Sequence, residues 1–192
     1  MRIITKKEYL KNKEKYLSLI KKGKLFIYPT DTIYGIGCDA TNATAIRLIH
    51  TLKQREKKPF SVLVPSKNWI LENCSVSSSV KKWLGKLPGK YTFILRLKSK
   101  RAVAVHVHLG DYTLGVRIPK HWIRTLVANF GKPIVTTSVN ISGEAFMTTL
   151  SNIPASFKKN IAFVIYEGPK RAHPSTLVDF VSGNAKIKKR KK

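Results

Sequence analysis

Acidic residues are scarce: 10 Asp plus Glu stand against 37 Lys plus Arg in 192 residues, a formal charge of +27. So few carboxylates argue against paired-carboxylate acid/base catalysis, and the positive field attracts RNA, DNA, nucleotides and anionic lipid. A lysine-rich, solvated surface would give the same count. Cysteine is nearly missing. Cys38 and Cys74 are too few and too far apart for a disulfide framework or a Cys-x-x-Cys zinc site. No apolar run approaches the roughly 20 residues that cross a bilayer. The opening MRIITKKEYLKNKEKYL turns charged at once and lacks a signal-peptide core. These absences predict a cytoplasmic protein with reduced thiols and no membrane contact. With 43% apolar residues, the chain is long enough for one domain with a full core.

The familiar phosphate motifs are missing too. Gly35-x-Gly37-x-x-Ala40 spells a dinucleotide fingerprint, but such a turn needs its first glycine where the strand ends and a helix directly after it. Here Pro29 ends the strand, five residues intervene, and the next helix starts only near Ala43. Gly85-Lys86, Gly89-Lys90 and Gly131-Lys132 are followed by Leu, Tyr and Pro, so there is no P-loop. No Gly-x-Ser-x-Gly elbow exists. His106-x-His108 would put two imidazoles on one strand face near Asp111, without the further ligands a metal needs, so no metal site is expected.

What is present is an alternation of helical and strand patterns. Thr5-Lys6-Lys7-Glu8 spells a capping box, and Leu10, Leu17 and Ile20 predict a helix over 6–21, stopped by Gly23. Strands are predicted over 25–28, 60–64, 91–97, 103–107, 113–118, 133–138, 161–165 and 176–180. Further helices are predicted over 43–52, 79–87 and 121–130. The fold class is α/β: a single domain over 1–185, with a twisted mixed sheet flanked by helices and a basic concave face. Residues 186–192 read as a basic tail.

Polar side chains cluster at the ends of these apolar strands. Thr30, Thr32 and Tyr34 follow the 25–28 strand, where open α/β sheets bind ligands. Lys53, Arg55 and Lys58 place three cations side by side, which repel unless an anion sits among them. As a purely structural reading, they complement a helix C-terminus. Arg117 stands between Val116 and Ile118, where an unpaired guanidinium is costly. Thr137, Ser138 and Asn140 end another strand. Hydroxyls, amides and cations without carboxylates suit an anionic ligand and stabilisation of charge.

Six stretches, in order, resemble the Sua5/YrdC/YciO family: YPTDTIYGIG (28–37), KQREKKPFSVLV (53–64), PGKYTFIL (88–95), VRIP (116–119), TSVNISG (137–143) and STLVD (175–179). The resemblance covers nearly the whole chain and implies a YrdC-like fold of the short type. Lys53-x-Arg55 and Ser138-x-Asn140 are similar to the branch that makes threonylcarbamoyl-AMP. In that light the opening stretch resembles a threonine-pocket loop whose Gly-x-Gly lets the backbone turn beneath a ligand.

The activity the resemblance implies joins L-threonine, bicarbonate and ATP, carried with Mg²⁺, into threonylcarbamoyl-AMP and pyrophosphate. No permanently bound cofactor is implied. A threonylcarbamoyl-transferase complex would then modify tRNA. By the same resemblance, Thr30, Thr32, Tyr34, Arg117, Thr136 and Ser175 would bind threonine. Arg55, Lys58, Thr113, Ser138 and Asn140 would bind ATP, and Lys53 with Arg55 would be catalytic.

Two departures stand out. Phe146 replaces a nucleotide-contacting serine, and a C-terminal Arg-x-Gly is missing, with Lys189 and Arg190 as the nearest cations. The alternative is a non-catalytic RNA-binding protein of the same fold that takes tRNA or rRNA through its charge, and tRNA or double-stranded RNA is the expected nucleic-acid partner. A carbamoyl-transfer module like that of hydrogenase-maturation proteins is a third reading, without those proteins' other domains.

Overall fold

Thr5 caps the first helix as the sequence predicts: its hydroxyl accepts from the Glu8 amide while the Glu8 carboxylate accepts from the Thr5 amide. The structure is a computed structural model describing residues 1–55 and 58–188. In it the expected 6–21 helix is two, α1 (Lys6–Lys11) and α2 (Lys13–Lys21), parted at Asn12, whose φ of −124° is not helical. Ahead of them lies β1 (Arg2–Ile4), and β2 (Leu25–Tyr28) and β3 (Gly35–Gly37) follow. Then come α3 (Ala43–Lys53), β4 (Ser61–Leu63), α4 (Lys67–Asn73), α5 (Ser78–Leu84) and β5 (Tyr91–Arg96). After α6 (Val105–His108) the chain forms β6 (Thr113–Arg117), α7 (Ile123–Phe130) and β7 (Ile134–Ser138). A 3-10 turn (Leu150–Asn152) leads to α8 (Ala155–Lys158), β8 (Ile161–Ile165), β9 (Thr176–Asp179) and β10 (Lys186–Lys188).

Three expectations are corrected. Val103 and Val107 do point inward, but Val105–His108 is a helix, α6, and Val105 is exposed. Apolar residues four apart fit one helical face as well as alternate strand positions. His106 and His108 therefore do not share a strand face, and among the described residues no group of three His, Cys, Asp or Glu could hold a metal. The Gly35-x-Gly37 stretch is no turn. It is the strand β3, and a Cβ on Gly37 would lie 2.2 Å from the Val135 carbonyl, so glycine lets β3 seat against its neighbour. Finally, the basic segment from 186 begins inside the sheet, because β10 pairs antiparallel with β9; residues 189–192, and with them Lys189 and Arg190, lie outside the described residues.

The ten strands run in the order β1-β8-β2-β3-β7-β4-β6-β5-β9-β10, mixing parallel and antiparallel pairs. Helices cover both faces. Tyr9 of α1, Tyr16 and Ile20 of α2, and Leu126, Val127 and Phe130 of α7 pack on Phe26, Leu63, Ile134 and Phe163. On the other face Ile46 and Ile49 of α3, Ile70 of α4, Val80 and Leu84 of α5 and Phe157 of α8 share a core with Ile27, Val62 and Val116. Among the described residues no helix is long and apolar enough to cross a membrane.

Candidate functional site

Register decides where the site forms. Ser61 of β4 pairs with Thr136 of β7 on one side and Gly115 of β6 on the other. Paired residues share a face, so these three make one row across the sheet. Two residues along the same face, Leu63 and Ile134 are buried beneath α7. The cover of α7 ends between these rows, and hydroxyls replace apolar side chains where it stops. Gly115 keeps the floor low: a Cβ there would lie 2.4 Å from the Ser61 hydroxyl. The resulting cleft, about 130 Å³, is walled by Thr30, Thr32, Arg55, Arg117, Ser138 and Ser175 among others.

Arg117 closes one side and is 5% exposed. Its Nη2 donates to the Asp31 carboxylate and, at 2.9 Å, to the Thr32 hydroxyl. The other Asp31 oxygen accepts from the Lys120 amide at 2.8 Å. Donor counting orients the rest. The Thr30 hydroxyl spends its hydrogen on the Ile33 carbonyl at 2.8 Å, so across the 2.9 Å gap between the two hydroxyls it is Thr32 that donates to Thr30. A directed chain thus runs from Arg117 through Thr32 and Thr30 to the backbone. Burial pulls the Arg117 guanidinium below its ordinary value and the Asp31 charge pulls it back. Arg117 Nε is buried with no partner among the described residues. An unmade bond of this kind is costly, and a ligand oxygen would make it.

Arg55 enters the cleft from the other side, on the connection between α3 and β4. Nη2 donates to the Pro59 carbonyl at 3.1 Å, and the guanidinium lies 5.6 Å from the Phe60 ring centre. Its Nε also lacks a partner among the described residues, and burial lowers its basicity. Glu56 and Lys57 lie outside the described residues.

Lys53, expected beside Arg55 in a cationic cradle, is turned away from the cleft and 1% exposed. Its Nζ donates to the Ser138 carbonyl at 2.6 Å, the Asn140 carbonyl at 2.8 Å and Asn140 Oδ1 at 2.9 Å. Burial first, then the Arg55 charge, pushes its ammonium down to about 7. The three acceptors act the other way, because only an ammonium has a hydrogen for each. Asn140 is part of this knot rather than of the cleft wall: its Oδ1 also accepts from the Ser138 hydroxyl at 2.6 Å, and its Nδ2 donates to the Glu144 carbonyl at 2.7 Å. Lys53 and Asn140 therefore shape the loop that presents Ser138.

Of the residues singled out from the sequence, the structure brings Thr30, Thr32, Tyr34, Arg55, Arg117, Thr136, Ser138 and Ser175 to one cleft. The Tyr34 hydroxyl is committed elsewhere, donating to the Gly168 carbonyl at 2.7 Å and accepting from the Glu167 amide at 3.0 Å. Lys58 is exposed and Thr113 half-buried, and neither is part of the lining. Sequence reasoning missed Asp31, Ser61 and Thr92. Thr92 shares a 2.7 Å bond with Ser175. Ser61 and Thr92 carried a readable signal, being hydroxyls within buried strand patterns. Phe146 lines the cleft as well and separates it from a more apolar pocket of about 480 Å³ that includes Ala145 and Arg171.

Comparison with known proteins identifies the family. The family of Sua5, YciO and YrdC, described as "Telomere recombination", matches residues 18–190. The chain belongs to the Sua5/YciO/YrdC family. A protein of Methanocaldococcus jannaschii, named provisionally as a threonylcarbamoyl-AMP synthase, is 37% identical over 173 residues, 86% of this chain and 81% of that protein. The structure of P. abyssi Sua5 complexed with L-threonine superposes with a TM-score of 0.79 at 27% identity, covering 90% of this chain. A doubly substituted form of the same Sua5 gives 0.86 at 26% identity and covers 97%. The chain spans about half the length of these Sua5 structures, 52% and 56%. E. coli YciO shares the fold at a TM-score of 0.80 and 22% identity, over 92% of this chain and 87% of that one.

Proposed function

We propose that this member of the Sua5/YciO/YrdC family is an L-threonylcarbamoyladenylate synthase, a nucleotidyltransferase that joins L-threonine, bicarbonate and MgATP and releases pyrophosphate. The observation that carries the reading is Arg117: a nearly buried guanidinium with an unpaired Nε, set against Asp31 and Thr32 beneath a ring of hydroxyls. That is a carboxylate site with polar groups for a small hydroxylated side chain. The L-threonine complex of Sua5 and the name of the M. jannaschii relative support the same choice of substrate.

In this reading Arg117 and Thr32 take the threonine carboxylate, and Thr30, Thr136 and Ser175 contact the rest of the amino acid. The threonine amine and bicarbonate first form N-carboxythreonine and water. The new carboxylate attacks the α-phosphorus of ATP, and the bond to the β-phosphate oxygen breaks to release pyrophosphate. Arg55, with Lys58 beside it, offsets the charge gathering on the leaving group. Ser138 contacts the nucleotide, and Lys53 and Asn140 act through the loop they hold. Most of the acceleration comes from holding the two carboxylate-bearing and phosphate-bearing partners in line. A threonylcarbamoyl-transferase acting on tRNA then consumes the product.

Pyrophosphate release from ATP with bicarbonate and Mg²⁺, measured with and without L-threonine, tests the reading. Threonine-dependent release, weak with serine, is expected. A folded protein that releases none contradicts it and favours the RNA-binding alternative. That alternative draws on the +27 charge; it predicts RNA affinity that falls steeply with salt, whereas threonine binding changes little.

A further inference from the structure

His50 sits in α3, one turn before the chain leaves for the cleft, and is 7% exposed. Its ring is held on three sides. Nδ1 lies 2.5 Å from the Arg55 carbonyl oxygen, and Nε2 lies 2.9 Å from the His106 carbonyl oxygen in α6. The ring face packs on Phe60, with centres 4.1 Å apart. The His50 carbonyl in turn accepts from the Arg55 amide at 3.0 Å. A carbonyl oxygen can only accept, so the contact with Arg55 is a hydrogen bond when Nδ1 carries the hydrogen.

We propose that His50 is the positioning residue that sets Arg55 over the cleft. The need for one is visible in the backbone. Gln54, between α3 and Arg55, adopts the left-handed conformation at φ 50°, which a side-chain-bearing residue holds only when its neighbours fix it. His50 grips Arg55 through both of its flanking peptide groups, amide and carbonyl. The same ring supports Phe60, over which the Arg55 guanidinium lies, and the Phe60 amide donates to the Val107 carbonyl at 2.8 Å. Both ends of the connection that carries Arg55 are thereby tied to α3 and α6, by two backbone bonds and by the imidazole between them. Among the described residues the ring touches the backbones of Arg55 and His106, and the His106 ring lies 3.3 Å from Arg47.

The consequence for the reaction rests on the synthase reading, in which Arg55 faces the triphosphate. His50→Phe keeps a ring against Phe60 and removes both ring nitrogens, and His50→Gln restores a side-chain donor. The KM for ATP is expected to rise about tenfold in His50→Phe, with the KM for threonine unchanged and His50→Gln in between, as for a lost charge-assisted contact made to one substrate only. Nitrogen-15 NMR supplies a readout free of activity: His50 Nδ1 carries a hydrogen in the wild type, and the Arg55 Nε–H signal moves in His50→Phe while Arg117 Nε–H does not. Unchanged ATP kinetics with an unmoved Arg55 signal would overturn the proposal. So would a wild-type His50 whose Nδ1 carries no hydrogen, a result that needs no folded variant. If the wild type releases no pyrophosphate, the synthase reading falls and the Arg55 signal alone decides whether the clamp exists.

Discussion

Arg117 reaches the cleft from the middle of a ten-stranded sheet, nearly buried and set against Asp31 and Thr32. Arg55 reaches it from the connection between α3 and β4, with a side-chain hydrogen bond to Pro59 and an aromatic ring for support. The contrast teaches how one cleft can treat two substrates differently. On the Arg117 side the donors are already aimed, so a small ligand pays little in ordering on arrival. On the Arg55 side the cation is placed by a loop, so a larger, charged ligand can complete the arrangement as it binds.

Removing Arg117 breaks the comparison most severely. Arg117→Ala is expected to remove threonine binding and to destabilise the fold by about 3 kcal/mol, because Asp31 is left buried without its cation. Chemical denaturation and calorimetry check the two effects together. Arg55→Ala separates them: adenylate formation is abolished, threonine binding survives, and stability stays within about 0.5 kcal/mol. Normal product yield from a folded Arg55→Ala protein would remove Arg55 from the mechanism.

Lys53→Met tests whether the loop between these sides is held from below. It takes one donor from each of three oxygens and is expected to cost about 2 kcal/mol of stability. Activity falls with it, through a weaker ATP KM, as the Ser138 loop loosens. The smallest expected effect is a pH slope. His121 lies just before α7, its Nε2 3.1 Å from Glu167, and burial lowers its basicity, opposed by the Glu167 charge. The folded state therefore takes up this proton later than the unfolded state as the pH falls. Stability is retained above the ordinary histidine value, about 6.5, and lost as acid drives the pH through it toward the lower folded value. His121→Gln should flatten that part of the denaturation curve.

Much of the fold was legible because its strands are short apolar runs bounded by glycine, proline and caps, as at Leu25–Tyr28 and Ile161–Ile165. The Thr5 capping box was readable for the same local reason. What local pattern could not resolve was period. Val103 and Val107 fit strand and helix alike, and only the packing of α6 against α3 chose. β3 and β10 escaped notice because a Gly-Ile-Gly strand and a lysine-rich strand acquire their identity from their partners. In the site, Arg117 and Thr32 were legible as costly or clustered polar residues. Lys53 was misread in orientation, since sequence places a lysine at a helix end without saying which way its ammonium turns. Asp31 was hidden by its exposed-looking turn sequence, and its role depends on Arg117, a partner 86 residues away.

The most direct test of the central claim is calorimetric titration of L-threonine into nucleotide-free protein, wild type and Arg55→Ala side by side. The account predicts equal threonine affinity in both, because the Arg117 side is formed before ATP arrives. Threonine binding that appears only with ATP present, or that is lost with Arg55, would contradict it.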